Sequence, residues 1–552
     1  VGGNQKTPHR SRGRETAAMD PKMFEDMGPV GSGKDGRNPP DWKGWDHMKQ
    51  WEEKKEGPRP KRPPYKDPYY PQSYQLDFEL DLYDKDKVKA GLMEYLGYTK
   101  GQEKIFEKHL TMIDDKIVRQ YMKEAYGPGP AKGKRPFNMC IYGASGYTGM
   151  LILEYIGKRI KKDQAFTFCL AGRTLANVEA KKKEVLGRYP LDWEWDPPTY
   201  AADLNKPDDL LRLVTCCDLI INCAGPFMTT GGEKLVEACL AYNTDYVDVN
   251  GEVPFTHRLL EYHDYAKSAG VLVVPNAAAA GGMPETLTWF TAQVAKQKTG
   301  EGLRAAKCYI SGSSKAMPSG GTLATRAAMN AAMKDVGMLM ANPFALGGNH
   351  LGIVRPEDLD KNFSVVKYDA DYGCWCGPFI YSFMETRVVR RANGLMKELT
   401  GEAYGREFSF TEQAKFPNED SAKERQSASS NTKSEVEMLK AEGKLKALGE
   451  GAMEDERAGS WTKYEIIGKT ENNKKVFTRM IGTDGYEETA HVVVDLAIVI
   501  LNHRKELQFQ GGVLTPGVCG QMFLVEQFRK TGFVIEEMDK VDGVEHILED
   551  HA

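Results

Sequence analysis

Through the middle of the chain, short apolar runs alternate with longer stretches in which apolar residues recur at three- and four-residue steps. Residues 137–142 (Phe-Asn-Met-Cys-Ile-Tyr) are the first such run, a glycine-rich turn follows, and residues 150–160 carry a helical period. Further strand-like runs at 165–171, 199–202, 218–222, 245–249 and 271–274 are separated by helical patterns, among them 175–186 and 210–214. This alternation predicts an α/β fold with a Rossmann-type doubly wound parallel sheet. Beyond it, strand-like runs at 461–467 and 476–481 precede a helix over 486–501. The most apolar part of that helix, 492–501, is about half the roughly 20 residues a membrane span requires. It carries Asp495 and reads as a buried helix.

The N-terminal part follows neither period. Residues 1–72 hold 11 of the 28 prolines, which favours extended backbone over packed elements. Residues 1–66 carry 15 Lys and Arg against 10 Asp and Glu, and the segment interleaves Trp42, Trp45, Trp51, Tyr65, Tyr69, Tyr70 and Tyr74. Such aromatics offer contact area to a partner, so a docking arm is weighed against a solvated tail. Residues 85–126 predict two helices, the second ended by Gly127-Pro128-Gly129-Pro130. Residues 1–20 are basic and lack an apolar core, which speaks against a secretory signal and leaves an import remnant open.

Composition narrows the function classes. The 552 residues are 41% hydrophobic and 28% charged, with a formal net charge of −4. The chain as a whole is therefore no polycation built for nucleic acid. Its ten cysteines include no CxxC pair, and Cys374-x-Cys376 has no second pair at ligand spacing, so no metal site is expected. Reduced thiols suit an intracellular or organellar protein. Motifs of hydrolases are absent.

The chemistry-bearing residues lie where predicted strands end. Gly143, Ala144, Ser145, Gly146, Tyr147, Thr148 and Gly149 form a strand–turn–helix junction of the kind that cradles a dinucleotide's phosphates. Arg173 ends the second strand, where the adenosine ribose is read, and suits the 2′-phosphate of NADP(H) better than the free hydroxyl of NAD(H). A solvated loop arginine is the alternative. Asp203, Asn222, Cys223, Ala224, Gly225 and Pro226 sit at the ends of the third and fourth strands and complete the cofactor candidates.

In order, the blocks GASGYTG (143–149), AGR (171–173), NCAGPF (222–227), DYVDVNGE (245–252), SGGT (319–322), NPFALGG (342–348), GTDGYEETA (482–490) and GGVLTPGVCG (511–520) make the chain similar to saccharopine dehydrogenase-like oxidoreductases, the group that includes the trans-acting enoyl reductases. The resemblance covers roughly residues 135–537. It implies a Rossmann domain, a second α/β domain with a mixed sheet, and NAD(P)-dependent reduction of a C=N or C=C bond in the active members. It also implies that the closing segment returns to the Rossmann domain. The expected organisation is an extended basic arm (1–72), a helical extension (73–134), the Rossmann domain (135–275), the second domain (276–505) with a polar insertion (413–458), and the closing segment (506–552). The chain departs from the family pattern at Asn276–Glu285, where alanines and glycines replace polar residues expected near the nicotinamide. That puts catalysis in question and leaves the catalytic residues unassigned.

Other candidates keep two readings each. Ser319-Gly320-Gly321-Thr322 is an anion site or a helix cap. Arg387, Arg390 and Arg391 clamp an anion or form structural ion pairs. His350 is a candidate acid, and Tyr147 and Tyr486 are candidate proton donors. The insertion is expected to be exposed, with a charged helix over 434–448. Two functions result: an NADP(H)-dependent reductase acting on an acyl or lipid-like substrate, or a Rossmann scaffold in a large organellar assembly, mitochondrial rather than plastid, docked through residues 1–130. RNA contact by Arg59, Lys61 and Arg62 and peripheral membrane contact are further expectations.

Overall fold

The computed structural model describes residues 85–109, 121, 132–314, 316–429, 440–441 and 443–541. The predicted arm and most of the second predicted helix lie outside these residues. Helices α1 (Lys85–Tyr95) and α2 (Glu103–His109) fall where the helical extension was expected.

The first sheet is built from β1 (Phe137–Tyr142), α3 (Tyr147–Arg159), β2 (Phe168–Gly172), α4 (Leu175–Arg188), β3 (Thr199–Ala201), α5 (Pro207–Cys216), β4 (Cys217–Asn222), α6 (Gly232–Ala241), β5 (Asp245–Asp248), α7 (Val253–Leu259), α8 (His263–Ala269) and β6 (Leu272–Val274). With β13 (Gly512–Val513) from the end of the chain added, its strands are all parallel, in the order β13-β6-β5-β4-β1-β2-β3. β2 and β4 are buried along their whole length, because helices cover both faces of a parallel sheet. The chain leaves β1 toward β2 and β3, then returns to the other side of β1 as β4. The point between β1 and β4 is therefore the topological switch, and ligands of such sheets lie outside the carboxyl ends of those strands.

Helix α9 (Ala279–Thr299) leads to β7 (Leu303–Ser313), α10 (Gly320–Ala341), β8 (Lys367–Asp369), β9 (Cys374–Gly377), α11 (Ser382–Thr400), β10 (Ser409–Phe416), α12 (Glu419–Ser429), β11 (Trp461–Thr470), β12 (Lys475–Gly482), α13 (Gly485–His503), β13 (Gly512–Val513), α14 (Pro516–Thr531) and β14 (Val534–Met538). The second sheet runs β14-β12-β11-β7-β10-β9-β8 and is mixed, β7 and β10 being its parallel pair. One continuous core joins the two sheets through α9, α13 and α14. The closing segment serves both: β13 pairs with β6 of the first sheet, whereas β14 pairs with β12 of the second. It thus returns to the Rossmann sheet as the family implied, but does not end there.

One expectation is corrected. The charged helix predicted over 434–448 does not extend to its end. Its first half lies outside the described residues, and 443–453 is irregular chain. Residues 443–450 are mostly exposed, as expected, with Gly451 and Ala452 buried beside the Rossmann domain. The start of the insertion is not, since 413–416 belong to β10, where Lys415 is buried against Glu465, and 419–429 form α12.

Candidate dinucleotide site

The turn after β1 is shaped by three glycines with different reasons. Gly143 has φ +93°, and a Cβ there would lie 2.9 Å from the backbone nitrogen of Ala224, so the turn abuts the loop after β4. A Cβ on Gly149 would come within 2.5 Å of the Gly143 carbonyl oxygen, so only glycine lets α3 start this close to the turn. Gly146 is the N-cap of α3 and offers no capping side chain. A Cβ there would meet nothing nearer than the Gly143 oxygen at 3.2 Å and would stand over the open end of the helix. The donors and positive dipole of a 13-residue helix face that space, with no acidic residue in the first turn. The cradle fits a pyrophosphate. Ala144, Tyr147 and Gly149 are buried; Ser145 and Thr148 are half-buried at its rim.

Arg173 is exposed at the carboxyl end of β2 and forms no ion pair among the described residues. Asp203, beyond β3, accepts hydrogen bonds from the backbone and side chain of Asn205. The backbone bond from Asn205 is the main reason its carboxyl sits below the usual carboxylate range. Asp203 shapes its own turn, and the nearby charges of Lys206 and Arg173 add to the lowering.

On the other side of the switch, buried Asn222 accepts from the Ala224 nitrogen (3.1 Å) and donates to the Tyr246 hydroxyl (3.0 Å). Gly225 and Pro226 continue this loop, half-buried. Cys223 faces the Tyr142 carbonyl, and burial pushes its thiol up to about 12, so it is no nucleophile. Behind the loop lies a buried network for which sequence reasoning assigned no role. Glu252 accepts from the Phe227 and Met228 nitrogens, both at 2.8 Å. Tyr246 donates to Asp248 (2.9 Å), whose carboxyl is raised by burial to about 6. Asp248 also accepts from Asn250 and the Asn276 nitrogen, and the Asn276 side chain donates to the Asn250 carbonyl at 2.8 Å. One network thus braces the loops after β4, β5 and β6. The DYVDVNGE block was its only signal: polar residues in a segment otherwise read as a buried strand end.

The departing loop behaves differently from its sequence. Ala277 and Ala278 are buried, so their side chains are withdrawn from the cleft. The chain kinks at Ala280 and Gly281, and the Gly281 nitrogen donates to buried Glu385 at 3.3 Å. Glu285 is also buried, raised by burial to about 7, and fastens α14 through Thr515 and the Gly517 nitrogen.

The second-domain candidates resolve into mostly structural roles. Ser319 caps α10, accepting from the Thr322 nitrogen at 3.1 Å. Arg387 is fully buried and donates to Asp360 and to the carbonyls of Asn342, Met340 and Phe383. Arg390 and Arg391 donate to the Pro343 and Val513 carbonyls. His350 lies against the Arg406 carbonyl. Tyr147 donates to the Ala452 carbonyl. The Tyr486 hydroxyl accepts from the Ser319 nitrogen (2.7 Å) and lies 3.0 Å from the Thr322 hydroxyl. Its ring stands edge-on to Tyr147, with centroids 5.3 Å apart.

Residues 443–457 strap the two domains together beside the cradle. Glu450 receives the Gly320 nitrogen at α10, and Glu454 pairs with Lys158 and Arg188 of the Rossmann domain. Arg457 pairs with Glu154 and Glu487.

The fold and this cradle define a two-domain protein with a nicotinamide-dinucleotide site at a Rossmann switch point. Residues 139–274 match the family model of the saccharopine dehydrogenase NADP binding domain. A trans-acting enoyl reductase of Mycobacterium ulcerans is 26% identical over 434 residues, spanning 73% of this chain and 98% of the relative. One of Mycobacterium bovis is 28% identical over 289 residues, spanning 50% and 65%. Among solved structures, the L-Glu-forming saccharopine dehydrogenase of Saccharomyces cerevisiae aligns over 73% of this chain and 99% of its own, at 14% identity and a TM-score of 0.41.

Proposed function

We propose that the chain is an NADPH-dependent reductase of a C=C bond in an enoyl substrate. The observation that carries this reading is exposed Arg173 beside the glycine cradle: a cation that forms no ion pair among the described residues, where a 2′-phosphate would lie. The names of the relatives, trans-acting enoyl reductases, support the substrate class. When bound, the reduced nicotinamide supplies a hydride. The chain's own residues hold the pyrophosphate on α3, grip the 2′-phosphate with Arg173, and brace the cleft loops through Glu252 and Asp248. Tyr486, with its oxygen already accepting from Ser319, has its proton free for Thr322 or for a substrate at the cleft.

Calorimetry with NADPH and NADH tests this on the wild type, Arg173→Ala and Gly146→Asp. NADPH is expected to bind tighter than NADH, and Arg173→Ala to weaken NADPH alone by about 10- to 100-fold. Gly146→Asp, which sets a carboxylate over the cradle, should abolish both. Equal binding of both nucleotides by wild type and Arg173→Ala refutes the NADP(H) assignment.

A second reading rests on the aromatic, basic sequence of residues 1–74. In it the reductase fold is an accessory subunit of a large mitochondrial assembly, docked through residues 1–130. Full-length but not arm-deleted protein should then co-sediment with a large particle. If Arg59, Lys61 and Arg62 contact RNA there, their loss should flatten the salt dependence of binding.

A further inference from the structure

Two pairs of cysteines hold their sulfur atoms 4.0 Å apart, Cys169 with Cys216 and Cys374 with Cys376. The pairs differ in what surrounds them. Cys374 and Cys376 are both buried on β9, with one residue between them. Cys169 is buried on β2, but Cys216, the last residue of α5, is half-buried. One sulfur of this pair thus stands on the solvent side and the other behind it. The pair also joins elements on either side of β1, since β2 and β4, the strand that follows Cys216, are the two neighbours of β1. Cys140 lies beside Cys169 in the register of β1 and β2, and Cys217 opens β4. Of these four thiols, Cys216 is the one placed to react. Hydrogen bonds from the Cys169 and Cys217 thiols hold its pKa below the ordinary thiol value, whereas burial raises that of Cys217.

We propose that Cys216 and Cys169 form a site of reversible oxidation, at which a hydroperoxide oxidises Cys216 and Cys169 resolves the product to an intramolecular disulfide. With hydrogen peroxide, the Cys216 thiolate attacks one peroxide oxygen. The S–O bond forms, the O–O bond breaks, and the hydroxide that leaves takes up the proton Cys216 had given and departs as water. The sulfur loses two electrons and the peroxide gains them. The Cys169 sulfur then attacks the sulfenic acid. The S–S bond forms, the S–O bond breaks, and the hydroxide leaves with the Cys169 proton as a second water. Two thiols and one hydrogen peroxide therefore give one disulfide and two waters. The sulfurs need to approach by only about 2 Å, from 4.0 Å to a bond of about 2.0 Å. Cys216 stands at a joint, where α5 ends and the extended backbone of Cys217 (φ −141°, ψ 158°) begins β4. The disulfide closes a loop between residues 47 positions apart and staples β2 to the foot of β4, so it stabilises the fold by restricting the unfolded chain. Cys216 precedes β4, whereas the dinucleotide cradle lies at the carboxyl ends of the strands. The inference is thus independent of which nucleotide binds.

The test treats the reduced full chain with hydrogen peroxide, as wild type and as Cys216→Ser, Cys169→Ser and Cys217→Ala. Wild type should lose two hydrogens in intact mass and regain them with dithiothreitol. Tryptic mapping without reductant should join residues 163–173 to residues 213–234, and the thermal midpoint should rise on oxidation. Cys216→Ser should abolish the link. Cys169→Ser should leave Cys216 as a sulfenic acid that dimedone labels; if that variant does not fold, Cys169→Ala takes its place. Cys217→Ala should keep the link, which separates Cys216 from its neighbour in the same peptide. Cys374 and Cys376 should stay reduced throughout, because no sulfur of that pair is open. A wild type that forms no link overturns the inference. So does a link that persists in Cys216→Ser, one made by Cys217 or Cys140 instead, or one that forms as fast in denaturant as in the folded chain.

Discussion

Tyr147 donates a 2.8 Å hydrogen bond to the carbonyl oxygen of Ala452, so the first residue of the helix at the phosphate cradle is tied to a segment 305 positions further along the chain. The next contact is tighter still. A Cβ on Gly451 would lie 2.4 Å from the Tyr147 ring, which is itself wedged edge-on against Tyr486.

Gly451→Ala should therefore lift the strap or displace the ring. Overpacking of this kind costs about 1–3 kcal/mol. The expected result is a lower thermal midpoint and faster protease cleavage within 443–453. Glu454→Gln, which removes ion pairs of a partly exposed carboxylate, should cost no more than about 1 kcal/mol. Cleavage of Gly451→Ala at the wild-type rate would show that the ring contact does not hold the strap.

Asn276 is held at φ 62°, in the left-handed region, by bonds to Asp248 and Asn250. Two costs can be separated there. Asn276→Gly keeps the backbone relaxed and loses only the side-chain bonds. Asn276→Val loses the bonds and adds a β-branched side chain to a conformation that disfavours it. Chemical denaturation should place the valine variant at least about 1 kcal/mol below the glycine variant. Equal stability of the two would mean that the backbone is not constrained at this position.

The alternation of strands and helices was legible because both periods are written in the chain, and the parallel sheet follows from them. The cradle was legible because Gly143, Gly146 and Gly149 act through backbone geometry, which a local motif encodes. The network of Asp248, Asn250, Glu252 and Asn276 was not, because Asn276 lies 28 residues beyond Asp248 and meets it only once β5 and β6 are neighbours. The alanines at 277 and 278 misled for a related reason. Sequence states which side chains a loop carries, not which of them the fold turns into the core. The start of the insertion was misread because the partner that lets Lys415 be buried, Glu465, is 50 residues away and meets it only in the folded sheet.

Arg387 distinguishes a structural cation from an anion clamp. Its guanidinium is fully buried and pairs with Asp360 while donating to three carbonyls. Arg387→Ala leaves those acceptors unpaired and should cost about 3–5 kcal/mol. Arg387→Lys should rescue little, since an ammonium cannot reproduce the planar fork. NADPH affinity, measured on whatever fraction remains folded, should be unchanged. A selective loss of NADPH binding with normal stability would restore the clamp.

His491 links pH to the joint between the domains. It is buried in α13, 3.1 Å from Glu488, 3.4 Å from Asp495 and 2.8 Å from the Thr531 hydroxyl, and stacked on Phe533. Burial alone would lower its pKa, but the hydrogen bonds and charges of Asp495 and Glu488 outweigh it and raise the pKa to about 9. Tyr155 of α3 donates to the same Asp495 at 2.8 Å, so the charge balance also anchors the Rossmann helix. A folded-state pKa above the unfolded value of about 6.5 means that the proton favours the folded state. The contribution is complete below pH 6.5, declines above it and is gone once the pH passes about 9. Its size is on the order of 3 kcal/mol, from 1.36 kcal/mol per unit of pKa. Wild-type stability in chemical denaturation should therefore fall between pH 6.5 and 9.5. His491→Leu should be less stable at pH 6.5, where it leaves two buried carboxylates without their cation, and should lose most of the decline toward pH 9.5. A variant that keeps the wild-type slope would assign that slope to other groups and leave His491 uncharged in the folded protein.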